Sequence, residues 1–366
     1  MIAWVQTLAE TMAVTCLALL TGGALLSLVA DEYKPILVFP QRLFPFAALL
    51  AGIVSFVPVL RPVLFLAPDT GWMEAVRLGV FHSRTGQVWL GLLAASVLLA
   101  LLLLVRNLRS SGWTAGWALC GTWMMILIKS WMGHVASVSG ISGWVLQSVH
   151  LTAVCVWAGI LMVVGFFTVD TVRWLSFLRW FTPTAIGCVT AVILAGWGLM
   201  GIIAPQYVAS WVLPYGEALL FKQWTTAGVL VTAGVNGGWI RRKLARGEEV
   251  NPLPWIRAEA VLILLVVAIT AWMSQEAAPH TVAETVQAVG VSPLFEGLFP
   301  GKWHPGLRAE WQGLFLGGLS ILVALTLLAM IPLLYRQRRS AYGAVWLAGL
   351  AACAGVLGVL VWAYGG

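Results

Sequence analysis

Residues 144–168 read WVLQSVHLTAVCVWAGILMVVGFFT, twenty-five positions without an Asp, Glu, Lys or Arg. About 20 apolar residues are enough for a helix to cross the ~30 Å hydrocarbon core of a bilayer. In lipid the backbone N–H and C=O groups must find partners within the segment, which a helix provides and an open strand does not. A barrel strand would show as a short run of alternating polarity, and no such runs occur.

Similar runs recur near 3–29, 43–60, 86–105, 113–132, 181–204, 218–240, 257–273, 310–335 and 341–364. With the first, they predict an all-α, polytopic transmembrane helix bundle of about ten spans. The composition agrees: 60% of residues are hydrophobic and 10% charged, too few polar groups to coat one water-soluble core. The first run lacks a basic leader region and continues to full length, so it reads as a helix rather than a cleaved signal. All five cysteines (Cys16, Cys120, Cys155, Cys188, Cys353) fall in apolar runs, which argues against a disulfide framework.

Basic residues orient the spans. Lys34, Arg42, Arg106, Arg109, Arg173, Arg179, the run RRKLAR at 241–246, Arg257 and RQRR at 336–339 hold fourteen of the 21 Lys and Arg. They fall in loops that share one side, and the positive-inside rule makes that side cytoplasmic. Both termini are then extracytoplasmic. The net charge of +7 belongs to this topology and not to nucleic-acid binding, because the cations are scattered and no soluble basic face exists. Tryptophans at predicted span ends, Trp131, Trp144 and Trp239 among them, fit interfacial anchoring.

With this orientation all five histidines lie in the outer half. His134 opens the small-residue stretch GHVASVSGISG, and His150 lies about two turns into the following span. Ionisable groups inside spans usually face a bundle interior or an aqueous cavity, so the two imidazoles are candidate metal ligands. The plainer alternative is that His150 only hydrogen-bonds a neighbouring helix and His134 is solvated. Met132 stands two residues before His134, and His82 follows the second span in an outer loop. Cys120 and Met124 share a face of the fourth span at i, i+4; Met12 and Met200 lie toward outer helix ends. Thioether and thiolate suit Cu(I), while imidazole suits Cu(II), zinc and iron; methionine is also ordinary core filling. Glu10, in the outer half of the first span, reads as a ligand, a proton acceptor or a hydrated interfacial group. Asp170 and Glu259, near the basic side, read as solvated or salt-bridged. Two outer loops, 61–85 and 274–309, exceed what connection requires, the second with room for a short surface helix and a turn. No phosphate loop, HExxH, CxxC or GxSxG motif is present, so the chain reads as neither an ATP-driven pump nor an enzyme.

Five pieces taken in order resemble the copper resistance protein D (CopD) family: GHVAS at 133–137, SVHLTAVCVWAGIL at 148–161, FTPTAIGCVTAVILAGWGLMG at 181–201, YGEALLFK at 215–222 and RAEAVLILLVVAITAWMS at 257–274. The resemblance divides the chain into N-terminal helices (1–110), a CopD-like core (111–275), and an outer loop with two C-terminal helices (276–366). It implies copper handling at the bacterial cytoplasmic membrane, generally uptake from the outer side, with His134 and His150 as the motif histidines. The outer β-sandwich copper domain fused to some relatives is absent here, which implies a separate extracytoplasmic donor protein. The expectation is therefore copper transport through a site of His134, His150 and Met132, with His82 and Glu10 as further ligands and Cys120, Met124, Met200 and Met12 along a possible path. The alternatives are a b-type haem redox protein and an assembly factor that presents copper to a cuproenzyme.

Overall fold

The computed structural model describes residues 2–40, 42–106, 111–337 and 339–365. Arg109 and Arg338, two of the cations used above to orient the chain, lie outside the described residues. By contact the chain forms two compact units, Met1–Leu199 and Met200–Gly366.

The first unit contains α1 (Ile2–Leu28), α2 (Leu43–Val54), α3 (Val57–Thr70), α4 (Trp72–Arg77), a π-helical turn over Leu78–His82, α5 (Arg84–Val105), α6 (Gly112–Met132), α7 (His134–Ser139), α8 (Ile141–Phe167) and most of α9 (Trp174–Ile203). Its centre is α1, packed on α2, α6 and α8. The helix keeps its hydroxyls satisfied internally. Thr7, Thr11, Thr15 and Thr21 each donate to the carbonyl four residues back, at 2.7–3.0 Å, so none needs a partner in lipid. Where α1 crosses α8, backbone meets backbone. A Cβ on Gly22 would stand 2.2 Å from the Gly159 carbonyl, and one on Gly159 would stand 2.0 Å from the Ala18 oxygen. Helices associate in lipid chiefly through such close packing, since burial of apolar surface drives nothing there.

The second unit contains the end of α9, α10 (Pro214–Gly234), a π-helical stretch over Val235–Ile240, α11 (Arg241–Ala245), α12 (Leu253–Met273), α13 (Val282–Val289), α14 (Pro293–Leu298), α15 (Leu314–Arg336) and α16 (Tyr342–Tyr364). The last two pair tightly, and α16 also lies along α10.

Eight stretches among the described residues are long and apolar enough to span a membrane. The remaining two of the ten expected spans are α6 and α10, each 21 residues long; α6 carries Lys129, and α10 carries Glu217 and Lys222. The expected single span at 43–60 is two helices, α2 and α3, which together form one 28-residue candidate span. Helix α3 runs on to Thr70, so the expected loop 61–85 is largely helical. The loop 274–309 holds two short helices where one was expected. Its Val282, Val286 and Phe295 bury themselves with Trp211, Leu213 and Tyr364 of the same unit.

Candidate metal centre

Helix α6 ends at Met132, and Gly133 separates it from α7, whose first residue is the exposed His134. The small residues of GHVASVSGISG let α7 fold back onto α8. A Cβ on Gly143 would come within 2.6 Å of the Val135 carbonyl oxygen, and Gly140 makes the turn at φ +62°, a conformation that costs glycine nothing. Four contacts fasten this corner. The Trp131 and Trp144 rings meet edge to face at 5.7 Å, the Trp144 indole N–H donates to the Leu127 carbonyl at 2.9 Å, and Arg84 lies 4.8 Å over the Trp131 ring while donating to the Ala136 carbonyl at 3.3 Å. Arg84 thereby ties the segment that follows His82 to α7.

His150 lies about 14 Å along α8 from its first residue and is half-buried. Its Nδ1 is 3.1 Å from the Val192 carbonyl on α9. A carbonyl only accepts, so Nδ1 carries the proton and Nε2 is the basic nitrogen of the neutral ring. Metal-binding imidazoles are oriented in this way, with the second nitrogen bonded to a backbone carbonyl. One turn earlier, Leu146 packs over Gly198, where a Cβ would stand 2.9 Å from its δ-carbon. That pair of contacts turns this side of α8 toward α9.

Glu10 accepts from Lys129 Nζ at 2.9 Å, with Lys129 only 7% and Glu10 28% exposed. Lys129 was missed in the sequence. The signal was present, because a lysine one turn before Met132 in an apolar run needs an anion nearby. Of the sulfur groups, Met132 is half-buried beside His134. Cys120, Met124 and Met12 are exposed, whereas Met125, adjacent to Met124, is wholly buried. Met200 belongs to the second unit and packs against a cluster that includes Ala204, Tyr215 and Met273. His82 is exposed at the end of its π-helical turn. Among the described residues no three His, Cys, Asp or Glu side chains gather into one potential metal cage.

The second unit has polar centres of its own. Glu217, near the start of α10, accepts from the Ser292 hydroxyl and from the Phe295 N–H at 3.1 Å. Ser292 in turn caps α14 by accepting from the same N–H at 2.9 Å. Glu259, expected to be solvated or salt-bridged, is 2% exposed and accepts from Asn236 Nδ2 at 2.7 Å.

These helices, with their sparse and internally paired polar groups, define a multi-pass α-helical membrane protein. Within it, residues 175–273 match the family model of copper resistance protein D, CopD. No curated protein and no solved structure matches the chain. The matched segment runs from the second residue of α9 to the last residue of α12 and contains no histidine. His134 and His150 therefore lie outside it, although the match with the copper family covers the later part of the expected core.

Proposed function

We propose that the protein carries copper ions inward across the bacterial cytoplasmic membrane, with its basic loops in the cytoplasm and both termini outside. In this reading a donor protein delivers the ion to the corner formed by α6, α7 and α8. His134 and His150 capture it and the Met132 thioether completes the site. The core of the activity is the segment 111–275.

The observation that carries this reading is the bond from His150 to Val192. It leaves Nε2 as the nitrogen of a membrane-embedded imidazole that carries the lone pair for a metal, and it fastens that ring to α9, the helix with which the copper-family match opens. The contacts of Arg84 favour His82 as a further ligand, since they hold its segment against α7. Glu10 is a ligand only once its carboxylate leaves Lys129. Met12, Cys120, Met124 and Met200 are the sulfur groups for onward passage, on exposed or half-buried faces. Conduction requires binding strong enough to admit an ion and weak enough to release it. Two imidazoles and a thioether meet that requirement for Cu(I) or Cu(II) better than a closed cage does.

The test is copper accumulation in sealed proteoliposomes, with wild type beside His134→Ala and His150→Ala. Accumulation that is lost in both variants supports transport. Binding without accumulation points instead to a copper-presenting assembly factor, and a Soret band in the purified protein points to a haem-binding redox protein.

A further inference from the structure

At the arginine-rich end of the second unit, α10 passes into π-helical geometry over Val235–Ile240. Such segments are rare and concentrate at functional positions. Asn236 lies within it, 4% exposed. Its Nδ2 donates to Glu259 Oε2 at 2.7 Å and to the Trp255 carbonyl at 3.2 Å. These two bonds fix the amide orientation, because exchanging its oxygen and nitrogen would set Oδ1 against two acceptors. Oδ1 is consequently buried without a hydrogen-bond partner, a state that costs free energy and is uncommon in native proteins.

What Oδ1 lacks is a donor. Glu259, about 9 Å along α12 from its first residue, offers only acceptors as a carboxylate but gains an O–H donor as an acid. Amide and carboxylic acid are complementary: the N–H serves a carboxyl oxygen and the O–H serves the amide oxygen. We propose that Glu259 and Asn236 form a proton-binding site within the membrane-embedded part of the second unit. On binding, a proton from water forms an O–H bond on the Glu259 carboxyl, the group becomes neutral, and no other covalent bond changes.

The ionisable groups at this end, among the described residues, are Arg257 on α12 itself, Arg241, Arg242 and Lys243 on α11, Arg246, Glu248 and Glu249 just after it, Tyr335 and Arg336 on α15, Arg339 beyond it, and Tyr342 on α16; Glu248 lies 3.8 Å from Lys243 and 4.0 Å from Arg246. Lys243 lies 5.3 Å over the Tyr335 ring and Arg336 lies 4.8 Å over the Trp239 ring. The Tyr335 ring meets that of Trp255 at 5.4 Å, and its hydroxyl is also buried without a partner. Two buried oxygens without a hydrogen-bond partner, Asn236 Oδ1 and the Tyr335 hydroxyl, thus stand at one end of the unit. The inference does not depend on which ion the protein carries.

Infrared difference spectroscopy of the full chain in lipid nanodiscs, stepped through pH in H2O and in D2O, tests it. The expected result is a deuterium-sensitive protonated-carboxyl band that is lost in Glu259→Gln and retained in Glu10→Gln and Glu217→Gln. Asn236→Ala should keep the band but displace it, which decides the matter if Glu259→Gln fails to fold. An unchanged band in Glu259→Gln would overturn the proposal. So would a carboxylate signal that answers to sodium at constant pH and not to protons.

Discussion

The Nδ1 of His150 on α8 donates to the main-chain carbonyl of Val192 on α9 across 3.1 Å. Because the acceptor is backbone, no side-chain substitution at 192 removes it, and the ring orientation belongs to the helix pair itself. The neighbouring Gly196 leaves the ring room: a Cβ there would lie 3.8 Å from it, in ordinary contact.

If Nε2 of this ring binds copper, His150→Ala lowers copper affinity by about tenfold or more, a loss of ~1.4 kcal/mol, and leaves helicity and elution volume unchanged. Chelator competition on the purified protein measures it. Equal affinity in wild type and variant would remove His150 from the site.

The Glu10–Lys129 pair joins α1 to α6 inside the membrane. Lys129→Met strands a carboxylate, and Glu10→Gln strands an ammonium that is almost fully buried, so each single change is expected to cost about 3 kcal/mol. The double variant should recover most of the loss, because no uncompensated charge remains. Thermal unfolding in detergent reads this cycle, and additive losses would show that the two side chains do not act as a pair.

Gly159→Leu forces a side chain into the backbone crossing with α1 and is expected to abolish the folded form. Gly159→Ala places its methyl against the Ala18 carbonyl and should lower stability by about 1–3 kcal/mol. Fluorescence-detected size exclusion after a heat step distinguishes the grades. A wild-type melting profile for Gly159→Ala would mean that the helices do not cross there.

Glu217→Ala removes the carboxylate that receives Ser292 and the Phe295 N–H, leaving α14 to its serine cap. Hydrogen bonds to charged groups contribute about 1.5–3 kcal/mol, so the segment 282–298 should exchange its amide hydrogens faster while α10 remains protected. Hydrogen exchange followed by mass spectrometry checks this, and unchanged exchange across α14 would refute the fastening role of Glu217.

Much of the architecture was legible in the chain because lipid imposes a simple rule. Long uncharged runs such as 144–168 must be helical, and α8 covers that run with boundaries near those expected. Helices α6 and α10 carry charges, Lys129 in one and Glu217 and Lys222 in the other, of which Lys129 and Glu217 are buried, and average hydropathy is blind to whether a charge will be paired. The break between α2 and α3 at Ser55–Phe56 was illegible for a related reason, since apolar composition continues through it. At the candidate site, sequence supplied the residue types and the small-residue turn that folds α7 onto α8. It could not supply the partners.

The amino-acid sequence by itself determined that the chain is a bundle of membrane helices, because chain length, apolar composition and the need to satisfy every backbone amide leave one solution in lipid. It also carried the resemblance to copper resistance proteins. Tertiary structure alone decided which polar groups meet: His150 with Val192 across 42 residues, Glu10 with Lys129 across 119, and Glu217 with Ser292 across 75. The physical reason is that local spacing fixes only which face of a helix a residue occupies. Which other helix that face meets depends on where backbones can approach closely, as at Gly22 and Gly159, and that follows from the packing of the whole unit.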